Sequence, residues 1–313
     1  MIIAYTFIML KRSLQHLKNG PDGESHDENQ YTSLISDILQ HGEEIISRNG
    51  GVKAVFGSAM HFSLENGTLP LLTTKKVAWK TCLKELLWFM NGDTDNRKLK
   101  DQNVKIWNAN ATREFLDSRG LTLNAVDDLG PVYGHQWRHF NAPYTTCEDN
   151  YDGKGVDQLQ YVIEQLKNPE TRTSRRIIMS AWNPCQLDEM ALPPCHVMCQ
   201  FNVIGNKLSC SLYQRSGDVG LGVPFNIASY SFLTHILAKH CDLEAYEFVY
   251  YLGNCHIYDD HYEALSEQIK KKPFPFPKID ITSKHDNINE YQVGDINVSE
   301  YQHHVKVEMK MRA

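Results

Sequence analysis

Residues 190–203 read Met-Ala-Leu-Pro-Pro-Cys-His-Val-Met-Cys-Gln-Phe-Asn-Val, and they place Cys195 directly after two prolines. The prolines fix the backbone that leads to the sulfur. Beyond Cys195, apolar residues alternate with more polar ones as far as Val203, which predicts a strand. A thiol at such a loop-to-strand entry can be a nucleophile if it is a partly exposed thiolate near positive charge. For this stretch alone, a buried structural cysteine is an equally good interpretation.

Residues 213–230 add polar groups at close spacing: the guanidinium of Arg215, the hydroxyl of Ser216, the carboxylate of Asp218 and the amide of Asn226. Arginine and serine both donate to anionic oxygens, which favours a phosphate site. An asparagine amide donates and accepts at once, which suits one edge of a pyrimidine. A solvated turn explains any one of these residues, but it is a poor account of the set.

Composition favours a cytoplasmic enzyme with one large core. The chain has 313 residues, of which 42% are hydrophobic, and a net charge of -6, so it lacks the basic footprint of a nucleic-acid-binding protein. Its eight cysteines include no close CxxC pair. Cys195 and Cys199 would lie roughly 13 Å apart on a strand, too far to share a metal. We therefore expect no metal site and a reduced chain without a disulfide framework.

The first 28 residues are predicted to be a poorly ordered extension outside a single catalytic domain at 29–313. Residues 1–10 are apolar, but they are too few for a membrane span, and the basic pair follows them instead of preceding them as in a signal peptide. Residues 20–30 are polar and turn-rich, as in a linker.

Apolar spacing predicts alternating helices and strands. The predicted helices are 31–46, 77–90, 156–167 and 227–240, and the predicted strands are 177–182, 196–203 and 208–214. No glycine-rich nucleotide fingerprint accompanies them, so a plain dinucleotide-binding fold is not indicated.

Motifs along the whole body of the chain, from about residue 30 to the C-terminus, resemble the thymidylate synthase family. They are 71–75 (LLTTK), 85–89 (ELLWF), 106–108 (IWN), 129–138 (LGPVYGHQWR), 174–183 (SRRIIMSAWN), 190–196, 214–230, 256–258 (HIY) and 275–278 (PFPK). Inserts at 109–127 and 141–156 are similar to the eukaryotic or large-virus form of the family.

This resemblance implies a layered α+β fold around one large mixed sheet, in a homodimer whose sheets pack back to back. It also implies a methyltransferase reaction in dTMP biosynthesis. In that reaction dUMP is reductively methylated by the co-substrate 5,10-methylenetetrahydrofolate, giving dTMP and dihydrofolate.

The catalytic residues that the resemblance implies are Cys195, Glu85, Tyr133, His196 and Asn226. Cys195 would add to carbon 6 of uracil, with its pKa lowered by nearby Arg215. Glu85 would be the general acid and base, since its apolar neighbours favour burial and a raised pKa. Tyr133 would help to remove the carbon 5 proton through water.

The residues expected to bind dUMP are Arg175, Arg176, Gln214, Arg215, Ser216, Asp218, Asn226, His256 and Tyr258. Those expected to bind folate are Ile106, Trp107, Asp218, Leu221, Gly222 and Phe225. By the same resemblance, Arg175 and Arg176 reach the phosphate held by the other subunit. Adjacent strand residues point opposite ways, so this requires a bend or a loop end there.

Four places depart from the usual family pattern. The loop over residues 46–54 is shorter than usual, and either Arg48 or Lys53 could supply its phosphate-gripping cation. Asn108 and Asn254 stand where aspartate is usual, and the tail at 308–313 differs from the ending that closes over the ligands.

Two alternatives stay open. A dUMP or dCMP hydroxymethylase of the same fold would add water instead of hydride, but a dCMP enzyme would prefer aspartate at 226, and Trp107 can shield the intermediate from water. A non-catalytic, nucleotide-binding regulatory homologue is supported only by the altered loop.

Overall fold

A computed structural model describes residues 25–47 and 49–312. The α-helices in these residues are α1 Asn29–His41, α2 Trp79–Met90, α3 Asn96–Asp101, α4 Arg113–Ser118, α5 Tyr133–His139, α6 Gln158–Lys167, α7 Gly222–His240 and α8 Tyr262–Gln268. The strands are β1 Glu43–Ser47, β2 Gly50–Ser63, β3 Ile178–Ser180, β4 His196–Ile204, β5 Lys207–Asp218, β6 Glu244–Tyr258, β7 Lys278–Ile281 and β8 Ile296–Ser299.

One sheet of six strands organises the fold, in the order β1-β2-β6-β5-β4-β3. Its neighbours pair antiparallel except β5 and β6, which run parallel. The parallel pair requires a crossover, and α7 supplies it. This arrangement confirms the predicted α+β fold around a large mixed sheet.

The two faces of this sheet differ in exposure. One face is buried, with Met60, Phe201, Leu212 and Tyr250 almost inaccessible. The central helix α7, buried along most of its length, contacts β5 and β6. On the other face, Tyr213 and Tyr251 are paired across β5 and β6 and are 42% and 45% exposed. The single chain therefore leaves one face of its sheet partly open.

The prediction of one helix over 31–46 is wrong at its C-terminal end. The helix α1 ends at His41, and Gly42 has extended dihedral angles (φ -67°, ψ 138°). Residues 43–47 form β1, which pairs with β2 in a hairpin, and Ile46 is 93% exposed. Two adjacent isoleucines fit a helix face by spacing, but their β-branched side chains also suit a strand.

Other predicted elements are present with shifted ends. The strand predicted at 208–214 continues to Asp218, because its last residues pair with β6. The helix predicted from 227 begins at Gly222, directly after the turn that ends β5. The helix predicted from 156 begins at Gln158, where the Asp157 side chain accepts a hydrogen bond from the backbone of the first turn.

The residues just before α1 pack against the body of the protein, whereas residues 1–24 lie outside the described residues. The Glu28 side chain is buried and accepts hydrogen bonds from the backbone N–H and the hydroxyl of both Thr73 and Thr74, at 2.6–2.8 Å. The Asp27 carboxylate accepts from the backbone N–H of Ser63 at 2.9 Å. The packed body therefore begins a few residues before 29.

Candidate active site

Cys195 lies at the end of the proline loop, one residue before β4. The backbone N–H of Arg215 on β5 donates to the Cys195 carbonyl at 3.0 Å. The Arg215 guanidinium donates to the carbonyls of Pro194 and Pro193, at 2.8 and 3.0 Å, and stacks over the ring of Trp182. The pairing of β4 with β5 therefore places a fixed positive charge beside the loop that carries the thiol.

Tyr133, at the start of α5, organises the backbone of the same loop. Its hydroxyl accepts hydrogen bonds from the backbone N–H groups of Cys195, at 2.7 Å, and His196, at 3.3 Å. Burial raises the pKa of Tyr133 well above its usual range, so the phenol is neutral. A neutral phenol that accepts two bonds still has its own proton to donate.

Asn226 and His196 form a buried polar pair. The Asn226 amide nitrogen lies 2.6 Å from His196 Nε2. An amide NH2 only donates, so Nε2 accepts and the ring proton is on Nδ1. Burial lowers the pKa of His196 to about 4, which keeps the ring neutral at pH 7. The Nδ1 atom is buried and has no hydrogen-bond partner among the described residues, so a ligand or water could use it.

A second set of hydrogen bonds lies at the other end of the Asn226 amide. Tyr250 Oη donates to Gln214 Oε1 at 2.6 Å and lies 3.4 Å from Asn226 Oδ1. The Gln214 amide nitrogen donates in turn to the Ser216 carbonyl at 2.8 Å. The other end of the Asn226 amide therefore lies beside the hydrogen bond between Tyr250 and Gln214.

Glu85 on α2 is an acid whose ionisation is poised near neutral pH. Burial raises its pKa to about 7, and a 2.8 Å hydrogen bond from Trp107 Nε1 to Oε1 partly opposes that rise. The Trp107 ring packs between Trp88 and Tyr133, with ring centroids 6.3 and 6.2 Å away. A carboxyl group whose pKa is raised to about 7 can both give and take a proton near neutral pH.

The parallel pairing of β5 with β6 sets Asp218 directly opposite His256 and Ser216 opposite Asn254. Asn254 is one of the departures from the family pattern, yet its side-chain oxygen lies 2.9 Å from His256 Nδ1. The His256 and Tyr258 rings meet edge to face at 5.4 Å. An asparagine oxygen can therefore orient the histidine as a carboxylate would.

The turn between β5 and α7 is held from two sides. Asp218 Oδ1 accepts from the backbone N–H groups of Gly220 and Leu221, at 2.8 and 3.2 Å. Lys75 Nζ donates to the Gly220 carbonyl, and Tyr31 Oη donates to the Val219 carbonyl at 2.8 Å. The turn leads into Gly222 and the half-buried Phe225, whereas Ile106 is half-buried beside Trp107. The turn that carries Asp218 and Leu221 is therefore held by hydrogen bonds from several parts of the chain.

Three predicted cations are not brought into this cluster. Arg175 and Arg176 lie exposed in a turn just before the edge strand β3, which provides the loop end that their joint action requires. Lys53 Nζ donates to the Leu39 carbonyl at 3.2 Å, at the end of α1. Arg48 lies outside the described residues.

Sequence reasoning missed three residues of the site. Trp182 and Lys75 belong to quoted motifs, but nothing in those motifs indicated that they contact Arg215 or the Gly220 carbonyl. Tyr250 belongs to a strand without a motif. Only the pairing of β5 with β6 brings it to Gln214.

Metal ligation and membrane insertion find no support in the described part of the chain. Over residues 25–47 and 49–312, no group of three or more histidine, cysteine, aspartate or glutamate side chains could hold a metal ion. Across the same residues, no helix combines the length and apolar character needed to span a membrane.

Comparisons with known proteins agree with the motifs. The family described as thymidylate synthase matches residues 29–313. The chain is 50% identical to thymidylate synthase of Saccharomyces cerevisiae over 302 residues, covering 93% of this chain and 98% of the yeast protein. It is 47% identical to the bifunctional dihydrofolate reductase-thymidylate synthase of Plasmodium berghei over 322 residues, covering 99% of this chain but 54% of that protein. The chain thus spans about half the length of such bifunctional relatives. On these matches, the chain belongs to the thymidylate synthase family.

Proposed function

We propose that this chain methylates dUMP to dTMP, with 5,10-methylenetetrahydrofolate as the donor of both the one-carbon unit and the hydride. The observation that carries the proposal is the buried cluster around Cys195. There Tyr133 holds the nucleophile loop, Asn226 is hydrogen-bonded to His196, and burial raises the pKa of Glu85 to about 7.

The first step activates the pyrimidine, because carbon 5 of uracil is a poor nucleophile. The Cys195 thiolate forms a bond to carbon 6, and the electron pair of the 5,6 double bond moves out to give an enolate. Asn226, together with water held by His196 and Glu85, supplies donors to the developing negative charge. The nucleophilic carbon 5 then attacks the methylene carbon of the folate.

Later steps move protons and a hydride. Glu85 donates a proton to the folate nitrogen as its bond to the methylene carbon breaks, and it exchanges protons with the pyrimidine. Tyr133 helps to remove the carbon 5 proton through water, and the electron pair left on carbon 5 expels the second folate nitrogen from the methylene carbon to give an exocyclic methylene group. Hydride transfer from the released tetrahydrofolate to that group gives the methyl group and dihydrofolate, and the displaced electron pair restores the 5,6 double bond as Cys195 leaves as a thiolate.

The binding residues divide between the two ligands. Arg215 and Ser216 hold the phosphate of dUMP, Gln214 supports the base site, and His256 with Tyr258 holds the ribose. Asp218 contacts the pterin ring, and the wall formed by Ile106, Trp107, Leu221, Gly222 and Phe225 covers the folate. Because Lys53 is engaged with the end of α1, Arg48 is the better proposed cation for the shortened loop.

A product assay tests the function. The purified chain is incubated with dUMP and methylenetetrahydrofolate, and the nucleotide and folate products are identified by chromatography and mass spectrometry. We expect dTMP and dihydrofolate in equal amounts. 5-Hydroxymethyl-dUMP with tetrahydrofolate would show a hydroxymethylase, and nucleotide binding without turnover would show a regulatory homologue.

The proposed assembly is a homodimer in which the open sheet faces pack back to back. Tyr213 and Tyr251, exposed on that face, support it, as does the exposed turn carrying Arg175 and Arg176 at the edge strand. In this arrangement the two arginines reach the nucleotide phosphate of the other subunit. A cytoplasmic location stays a prediction from the cysteine pattern.

Subunit mixing tests the shared site. Cys195→Ala and Arg176→Ala homodimers should each be weak. Their mixture should recover up to about a quarter of wild-type activity, because one site of each heterodimer has both defects and the other has neither. The control mixes Cys195→Ala with Glu85→Gln, which act in the same subunit and should not complement. If subunits exchange but the first mixture stays as weak as the control, the arginine does not act across the interface.

A further inference from the structure

Residues 309–312 lie across the turn that carries the proposed folate ligands. The Lys310 carbonyl is 2.8 Å from Nε2 of His261, a fully buried side chain. The Met309 sulfur would be 3.3 Å from a β-carbon at Gly220, so it packs directly on the turn between β5 and α7. This tail therefore packs against the turn that carries the proposed folate ligands.

Arg312 joins this tail to two other parts of the chain. Its Nη2 lies 2.8 Å from Asp259 Oδ1 and 3.0 Å from Asp260 Oδ1, just after β6. Its Nη1 donates to the Asn49 carbonyl at 3.2 Å, in the turn of the β1–β2 hairpin. The guanidinium also stacks over the ring of Tyr258, 5.6 Å from the centroid.

The hairpin turn is shaped to admit this guanidinium. Gly50 has φ +119°, which L side chains rarely adopt, and a β-carbon there would be 2.7 Å from Arg312 Nη1. A single exposed ion pair contributes little to stability. A planar guanidinium that meets two carboxylates, a carbonyl and an aromatic face at once gains geometric specificity that one pair lacks.

We propose that Arg312 is a positioning residue that fastens residues 309–312 over the turn at 218–222. The inference rests on the proposed function, because that turn carries Asp218 and Leu221, the proposed folate ligands. Loss of the guanidinium should free the tail, weaken the folate wall and leave the chemistry at Cys195 intact.

Limited trypsin digestion measures the tail without any substrate. Cleavage after Lys310 removes residues 311–313 and is distinguished by mass from cleavage after Arg312. We expect Arg312→Gln to be cut after Lys310 about tenfold faster than wild type, and Lys306→Gln to be cut at the wild-type rate. Lys306 is the matched control, since it is also a tail cation but pairs with Glu308 of the same tail, at 2.8 Å. About 0.5 M salt should speed cleavage of wild type but not of Arg312→Gln.

A double variant and a kinetic measurement complete the test. Asp259→Asn with Asp260→Asn should release the tail as Arg312→Gln does, and adding Arg312→Gln to that pair should have little further effect. In Arg312→Gln, the KM for methylenetetrahydrofolate should rise about three- to tenfold while kcat changes less than about twofold. Equal cleavage after Lys310 in wild type and Arg312→Gln would overturn the proposal. The digestion needs no turnover, so its result stays separate from the outcome of the product assay.

Discussion

The region around Cys195 and the region of the hairpin and tail are held together by different kinds of contact. Around Cys195, buried side chains from α2, α5, β4, β5, β6 and α7 hold one another by short hydrogen bonds. At the hairpin and tail, Arg312 meets exposed carboxylates and backbone from distant parts of the chain. Buried polar groups tolerate few arrangements, because leaving one without a partner costs about 1–3 kcal/mol. Exposed ion pairs are cheaper to rearrange. We therefore expect changes in the first region to affect the chemistry and changes in the second to affect folate binding.

The largest expected effect comes from the thiol at the centre of the buried region. Cys195→Ala should abolish measurable turnover while dUMP still binds, because the phosphate and base contacts remain. Steady-state rates and nucleotide titrations measure the two effects. Cys185→Ala, which changes an exposed cysteine a short way along the same chain segment, is the control and should keep wild-type activity. Turnover by Cys195→Ala would refute the nucleophile assignment.

The second largest effect is expected from Glu85, whose pKa is raised by burial. Glu85→Gln should lower kcat by about 10²- to 10⁴-fold, the usual contribution of general acid–base catalysis. The pKa of Glu85 is raised to about 7, so the carboxyl is protonated below that pH and ionised above it. If proton donation to the folate nitrogen limits the rate, wild-type kcat falls as pH rises through about 7. The residual activity of Glu85→Gln should lack that step, and a wild-type profile that is flat from pH 6 to 8 would contradict the role.

A smaller effect is expected from Asn226, which we propose contacts the pyrimidine base. Uracil presents an N–H donor beside a carbonyl acceptor, and the Asn226 amide can match both groups. Asn226→Asp should shift the dCMP-to-dUMP ratio of kcat/KM upward by roughly ten- to a hundredfold, because a protonated aspartic acid suits the reversed pattern of cytosine. An unchanged ratio would mean that Asn226 does not read the base.

The smallest expected effect is that of Lys53 on the KM for dUMP, and it tests whether this lysine of β2 binds the phosphate. Lys53→Ala should change the KM for dUMP by less than about threefold, because the ammonium group is engaged with the Leu39 carbonyl. Arg215→Ala, measured beside it, should raise that KM far more. A large effect of Lys53→Ala would show that this lysine turns to the phosphate when the nucleotide binds.

Local spacing in the sequence predicted the elements around Cys195, but it was less reliable near the hairpin at residues 43–50. Strand β4 was predicted because apolar and more polar residues alternate along it, and the pairing of β4 with β5 accounts for the expected proximity of Arg215 to Cys195. The helix predicted to 46 failed because the spacing of Ile45 and Ile46 is compatible with both a helix and a strand.

Contacts between distant residues were beyond the reach of local patterns. Tyr250 meets Gln214 across 36 residues of chain, and Arg312 meets Asn49 across 263. Motifs report which chemistry is present in a segment. The residues that orient those chemical groups are set by strand pairing and by the packing of the tail. Neither of these has a short sequence signature.

The central claim is that Cys195 adds to carbon 6 of the pyrimidine. Its most direct test is to incubate the protein with 5-fluoro-dUMP and methylenetetrahydrofolate, then digest it with trypsin and fragment the peptide spanning residues 177–207. Fluorine cannot leave as the carbon 5 proton does, so we expect a trapped complex of nucleotide and folate whose mass is localised to Cys195. An unmodified peptide, or an adduct on Cys185 or Cys199, would show that Cys195 is not the nucleophile.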